Sequence, residues 1–195
     1  MTKDAERTAQ LGMRLYSRRS ERLYLNREER HAFRFGAEQA RDDVALLCLI
    51  LLMTGCRLSE ALNIRPQDIQ SEEGILAITS LKKRSKHHVR EIPVPEFLVQ
   101  RILARIAERG SRRLFSQNRS TAWRQVKAVM REAGIDGKHA SPKGLRHSFG
   151  VHCAFNNVAM PLCQRWMGHA DLRTTAIYYQ IVGREEREMA SRLWE

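Results

Sequence analysis

Only four cysteines occur in the sequence, and no two of them stand at the CxxC spacing of a structural zinc site or a redox motif. Cys48, Cys56, Cys153 and Cys163 sit mostly in apolar surroundings, where free buried thiols belong. The first ten residues, MTKDAERTAQ, lack the apolar stretch of a secretory signal. Nor does any apolar run approach the roughly 20 residues that a membrane helix needs. The longest, VALLCLILLM from Val44 to Met53, is about half of that. There is no repeat, no low-complexity tract and no obvious linker. These absences argue against zinc-finger, disulfide-scaffold and membrane-spanning classes, and lead to the expectation of a soluble, reduced, cytoplasmic protein.

What is abundant is positive charge. The 195 residues include 34 Lys+Arg against 22 Asp+Glu, a formal net charge of +12. Such an excess suits a polyanionic partner, with nucleic acid the default candidate, although a basic surface also serves solubility. A hydrophobic content of 43% supports a core, and the length suits one good-sized domain.

The chain divides into mainly α structure with one small antiparallel β-sheet or hairpin, an α+β fold class. The polar, basic first two dozen residues read as an arm or a frayed helix. Asn26 can cap the helix that follows, Glu28 and Glu29 suit its positive end, and Leu25 can staple it. Asp42–Thr54 is apolar all round, which predicts a buried helix, and Gly55 is a usual residue just past a helix end. A short helix through RLSEALNI comes next. ILAIT and REIPVP read as strands around a polar basic loop, with Pro93 and Pro95 placing the second at an edge or near its end. The apolar stripe Phe97, Leu98, Ile102 and Ile106 predicts a helix from Glu96 to Gly110. Ser120 caps another, and four more follow at about 142–156, 160–167, 171–181 and 184–194.

Four constellations invite a chemical reading, and each has a plainer alternative. Lys82, Lys83, Arg84, Lys86, His87, His88 and Arg90 crowd the hairpin, where phosphate contact would relieve their repulsion; basic hairpin tips are also often merely solvated. In TGCRLSEALNI, Arg57 follows a buried helix and needs an anion or carbonyl, yet Glu60 three residues on could simply pair with it. In SPKGLRHSFG, Lys143 and Arg146 share a helical face opposite Leu145, Phe149 and Cys153. His147 there is a packing or supporting histidine. In GHADLRTTAIYYQ, an α-helical period places Leu172, Ala176 and Tyr179 on one face and Tyr178 about 100° away. Tyr179 is therefore expected to pack in the core and Tyr178 to be polar or reactive.

Taken in order, TGCRLSEALNI, the basic hairpin ending in REIPVP, SPKGLRHSFG and GHADLRTTAIYY resemble the tyrosine recombinase, or phage integrase, family over roughly residues 25–181. The resemblance implies that Arg57 and Arg146 are the two catalytic arginines and that Glu60 orients the first. It implies that His169 occupies the family's His/Trp position and that Tyr178 is the nucleophile. The hairpin lysine would be Lys82, with Lys83 and Lys86 as alternatives. Lys83, Arg84, Lys86 and Arg90 would contact DNA. Lys143 stands where the family usually has the His of its HxxR motif. The implied activity is site-specific cleavage and rejoining of double-stranded DNA through a 3′-phosphotyrosyl link, by a homo-oligomer (a tetramer on paired sites) associated with the nucleoid. No metal or other cofactor is implied. A DNA-binding module with weak or lost catalysis is the alternative. Residues 1–24 would be a basic arm or extension, too short for the family's separate core-binding domain. Residues 25–195 would form the catalytic domain, with 183–195 an amphipathic helix docking on a neighbouring subunit or in cis.

Two guanidiniums suit the non-bridging oxygens of a phosphate and a pentavalent transition state. A phenol with a reference pKa of about 10 needs a proton acceptor or strongly positive surroundings before it attacks. Lys143, as an ammonium, is expected to add charge to the cradle and not to relay a proton.

Overall fold

The computed structural model describes residues 14–80, 88–110 and 113–194. Its elements run α1 (Arg27–Glu38), α2 (Asp42–Thr54), α3 (Leu58–Ala61), a 3-10 turn (Pro66–Asp68), β1 (Ile69–Gln70), β2 (Ile75–Thr79), β3 (Val89–Pro93), α4 (Glu96–Arg109) and α5 (Arg119–Glu132). Then come α6 (Pro142–Phe155), α7 (Met160–Met167), α8 (Leu172–Ala176), a second 3-10 turn (Ile177–Tyr179) and α9 (Arg184–Ser191). Among the described residues, no helix is long and apolar enough to cross a membrane.

The core forms around α2. Nearly every side chain from Val44 to Leu52 is buried, as an apolar period without a polar face requires. Helices α1, α4, α5 and α6 pack on it. Asn26 starts α1 with a reciprocal capping box: its side chain accepts from the Glu29 N–H, and the Glu29 carboxylate accepts from the Asn26 N–H. Helix α5 begins two residues before the expected Ser120, because Asn118 Oδ1 accepts from the Thr121 N–H and caps it.

The sheet has three strands in the order β1-β2-β3, all antiparallel. β1 was not expected; two residues of strand carry too little alternation to be seen. β3 is an edge strand ending at Pro93, as the proline positions require. Leu76 pairs with Ile92 and Ile78 with Arg90 across β2 and β3, so the buried face includes an arginine.

A second apolar cluster lies behind α6. It joins Phe149, Val151, Cys153, Cys163, Met167, Ile177, Tyr178 and Ile181 with Leu15 and Tyr24 from the N-terminal segment. Met189 of α9 packs against it in cis, and Arg192 donates to the Phe155 carbonyl.

Gly55 ends α2 at φ +60°, and a Cβ there would lie 2.5 Å from the Phe149 ring. Its carbonyl is also a ligand of Arg146. Gly55→Ala is therefore expected to destabilise the fold by more than the roughly 1 kcal/mol of an ordinary glycine replacement, read as a lowered urea midpoint at unchanged m.

Candidate active site

Chain order around α2, α6 and α7 brings the candidates together. Arg57 leaves the α2 C-terminus half-buried, with 27% of its side chain exposed. Its Nη1 donates to Glu60 Oε1 at 2.8 Å, and its backbone N–H donates to Glu60 Oε2 at 2.8 Å. The same carboxylate receives Arg90 Nη2 at 2.7 Å. Burial pushes the Glu60 carboxyl up, but Arg90 and Arg57 outweigh it and hold it below the ordinary carboxylate range.

Arg90 departs from expectation. Its side chain is 0% exposed, its Nε donates to the Trp166 carbonyl at 2.7 Å, and it closes a buried pair with Glu60. It cannot face DNA from there; it anchors β3 to α7 and to the carboxylate that holds Arg57. Strand alternation carried the signal, because Arg90 is in step with Ile92 and so points inward. Lys82, Lys83, Arg84 and Lys86 lie outside the described residues.

Arg146 is buried, not spread on a solvated face. Its Nη1 donates to the Gly55 carbonyl and its Nη2 to the Met167 carbonyl, each at 2.7 Å. Both acceptors lie at the C-terminal ends of helices, α2 and α7, where carbonyls lack intrahelical partners. Burial, then the nearby Arg57 charge, lowers its pKa to about 10, still fully cationic near neutrality. Lys143, one turn back on α6, is exposed.

His169 follows Gly168, the left-handed residue that ends α7. Its Nδ1 lies 2.9 Å from Thr175 Oγ1. Thr175 is buried and fixes the ring, a role that nothing in its sequence context marked. The His169 ring stacks on Tyr178 with centroids 6.0 Å apart and 16° between planes.

Tyr178 is 0% exposed, the reverse of the expected division between the tyrosines. The helix stops at Ala176 and the tyrosines ride a 3-10 turn, which advances about 120° per residue instead of 100°. Tyr178 consequently turns inward beside Gly150, whose absent Cβ would stand 2.6 Å from the ring. Tyr179 is only partly buried, and its hydroxyl donates to the Val158 carbonyl. Leu172, assigned to the same inward face as Tyr179, is 41% exposed. Burial pushes the Tyr178 phenol above its ordinary pKa, against the downward pull of Arg146 and Arg57.

The residue that the motifs left unassigned is His147. Its Nδ1 lies 3.1 Å from the Tyr178 hydroxyl. Burial, then Lys143 and Arg146, pushes its pKa down to about 3. His169 is likewise lowered to about 3, by burial and then by Arg146 and Arg57. An unfolded histidine titrates near pH 6.5. Between the two values the unfolded chain binds protons that the native state refuses, so stability is lost as the pH falls through that window. The expected slope is about 1.4 kcal/mol per pH unit for each ring. Urea titrations at pH 5, 6 and 7 would read it, and His169→Phe should remove one ring's share.

This fold, with paired arginines, a histidine and an enclosed tyrosine, is the architecture of a tyrosine recombinase catalytic domain. The chain belongs to the phage integrase family, whose model matches residues 14–184. It is 33% identical over 158 residues to the tyrosine recombinase XerA of Pyrococcus furiosus, covering 75% of this chain and 53% of that one. The crystal structure of XerA recombinase superposes with a TM-score of 0.77 at 24% identity, over 88% of this chain and 65% of that chain. XerH site-specific recombinase bound to its difH substrate, in a pre-cleavage complex, gives 0.73 at 22% identity, over 92% and 60%. The chain thus spans about half the length of the curated relatives it matches.

Proposed function

We propose that this domain cleaves and rejoins duplex DNA by transesterification through a 3′-phosphotyrosyl link, as a site-specific recombinase. The observation that carries the reading is Arg146, a buried cation held by two helix-end carbonyls beside Arg57 and Tyr178. An arginine kept in the core on backbone acceptors alone retains its positive charge for another anion. Arg57 and Arg146 would grip the non-bridging oxygens of the scissile phosphate, with Glu60 orienting Arg57. His169 would add a donor through Nε2, which is buried and has no hydrogen-bond partner among the described residues. Lys143 would contribute charge from the exposed end of α6. Lys82, or Lys83 or Lys86 in its place, would protonate the leaving 5′-oxygen. Because the phosphodiester energy is kept in the tyrosyl link, a second 5′-hydroxyl reseals the strand.

The net charge of +12 supports duplex DNA as the partner. Assembly as a homo-oligomer on paired sites follows from the family reading, with residues 183–195 the candidate contact.

The test is a duplex carrying the DNA around the gene, nicked beside each trial site so that the cleaved end diffuses away. A covalent protein–DNA band is expected with the unaltered chain and with Tyr179→Phe, and none with Tyr178→Phe. A band retained by Tyr178→Phe would overturn the assignment. Binding without a band from the unaltered chain would favour a DNA-binding module.

A further inference from the structure

The family's usual imidazole is missing from position 143, where a lysine stands, yet an imidazole does reach the nucleophile. His147 is four residues after Lys143, one turn further along α6, and its Nδ1 lies 3.1 Å from the Tyr178 hydroxyl. Relative acidity sets the direction of that contact. Both rings are buried, and His147 Nε2 has no hydrogen-bond partner among the described residues. If Nδ1 carried the hydrogen, the phenol hydrogen and the Nε2 lone pair would both go unmet. With the phenol donating to Nδ1, the Nε2–H and the phenol lone pairs are left over instead, so the number of unmet groups is the same. A phenol, with a reference pKa of about 10, is a far stronger acid than a neutral imidazole N–H, and an imidazole nitrogen a far better acceptor than a phenol oxygen, so the second arrangement prevails.

Resting on the reading above, we propose that His147 is a catalytic residue, the base that takes the Tyr178 proton through Nδ1. In the cleavage step the Tyr178 O–H bond breaks and its proton goes to His147 Nδ1, making an imidazolium. The phenolate oxygen forms the bond to phosphorus. The bond from phosphorus to the 5′-oxygen breaks, and that oxygen takes a proton from a separate ammonium donor, the part assigned to the hairpin lysine. Rejoining returns the proton from Nδ1 to the phenolate.

The surroundings are consistent with this exchange. Burial, and then the charges of Lys143 and Arg146, keep the imidazole neutral, while His169 stacks on its partner Tyr178. A phosphate bound against Arg146 and Lys143 would offset both charges and raise the basicity of the ring when the proton has to move.

Two variants and one spectrum test it. His147→Asn keeps an acceptor where Nδ1 stood but cannot hold a proton; His147→Phe removes both. Each should cleave nicked duplex about 100-fold more slowly or worse, with DNA affinity unchanged. A 5′-phosphorothiolate substrate, whose leaving group needs no proton, should not restore the rate. Cleavage by His147→Asn at the unaltered rate, or its restoration by the phosphorothiolate, would overturn the proposal. Nitrogen-15 histidine spectra of the unaltered protein should show His147 protonated at Nε2 and bare at Nδ1. The opposite tautomer would overturn it even if both variants failed to fold. If the unaltered protein trapped no DNA, the recombinase reading would fall and the tautomer would still report on the contact.

Discussion

Arg146→Lys is expected to slow strand cleavage by about 10³-fold or more in single-turnover trapping, with the protein still folded and basic. A lysine keeps the charge but offers a single point of donation. It cannot span the Gly55 and Met167 carbonyls that hold Arg146 at 2.7 Å each while presenting a planar fork to phosphate. Arg146→Ala should cut deeper, because it strands two buried carbonyls at a cost of about 1–3 kcal/mol each. A loss below tenfold for the lysine variant would mean that charge alone suffices and that the carbonyl tether is incidental.

The largest effect on stability is expected from Glu60→Ala. Glu60 is 2% exposed and is the carboxylate partner of both Arg57 and the wholly buried Arg90. Its removal leaves a guanidinium charge in the core, which costs about 3–5 kcal/mol. Urea denaturation would show it as a shifted midpoint. Glu60→Met combined with Arg90→Met should recover much of the loss, since two apolar chains of similar volume carry no desolvation debt. The double variant should nonetheless cleave poorly, because Arg57 then lacks the carboxylate that orients it.

Much of this architecture was legible from residue order. The all-apolar stretch Val44–Met53, closed by Gly55, could be little else than a central helix. Four motifs in family order placed Arg57, Arg146, His169 and Tyr178 in one domain. What escaped was set by geometry that local pattern does not encode. The inward turn of Tyr178 depends on a change from α to 3-10 winding after Ala176, and extrapolating the helical period past that point exchanged the roles of two adjacent tyrosines. Thr175 and His147 owe their importance to partners that the chain brings back from 6 and 31 residues away. Arg90 differs for another reason: its charge suggests DNA, but alternation with Ile92 and Val94 points it at the core.

Three consecutive residues of α6 each have a different destination. Arg146 reaches the ends of α2 and α7, His147 reaches Tyr178, and Ser148 donates to the Leu25 carbonyl at 2.9 Å. Successive positions on a helix differ by about 100°, so these three directions together lock its rotation. Substitution at one of them disturbs that residue's own contacts and leaves the other two in place. An inserted or deleted residue between Lys143 and Arg146 would instead hand every destination to the wrong side chain at once. This turn should therefore tolerate changes of letter far better than changes of length, and related sequences should align through it without gaps.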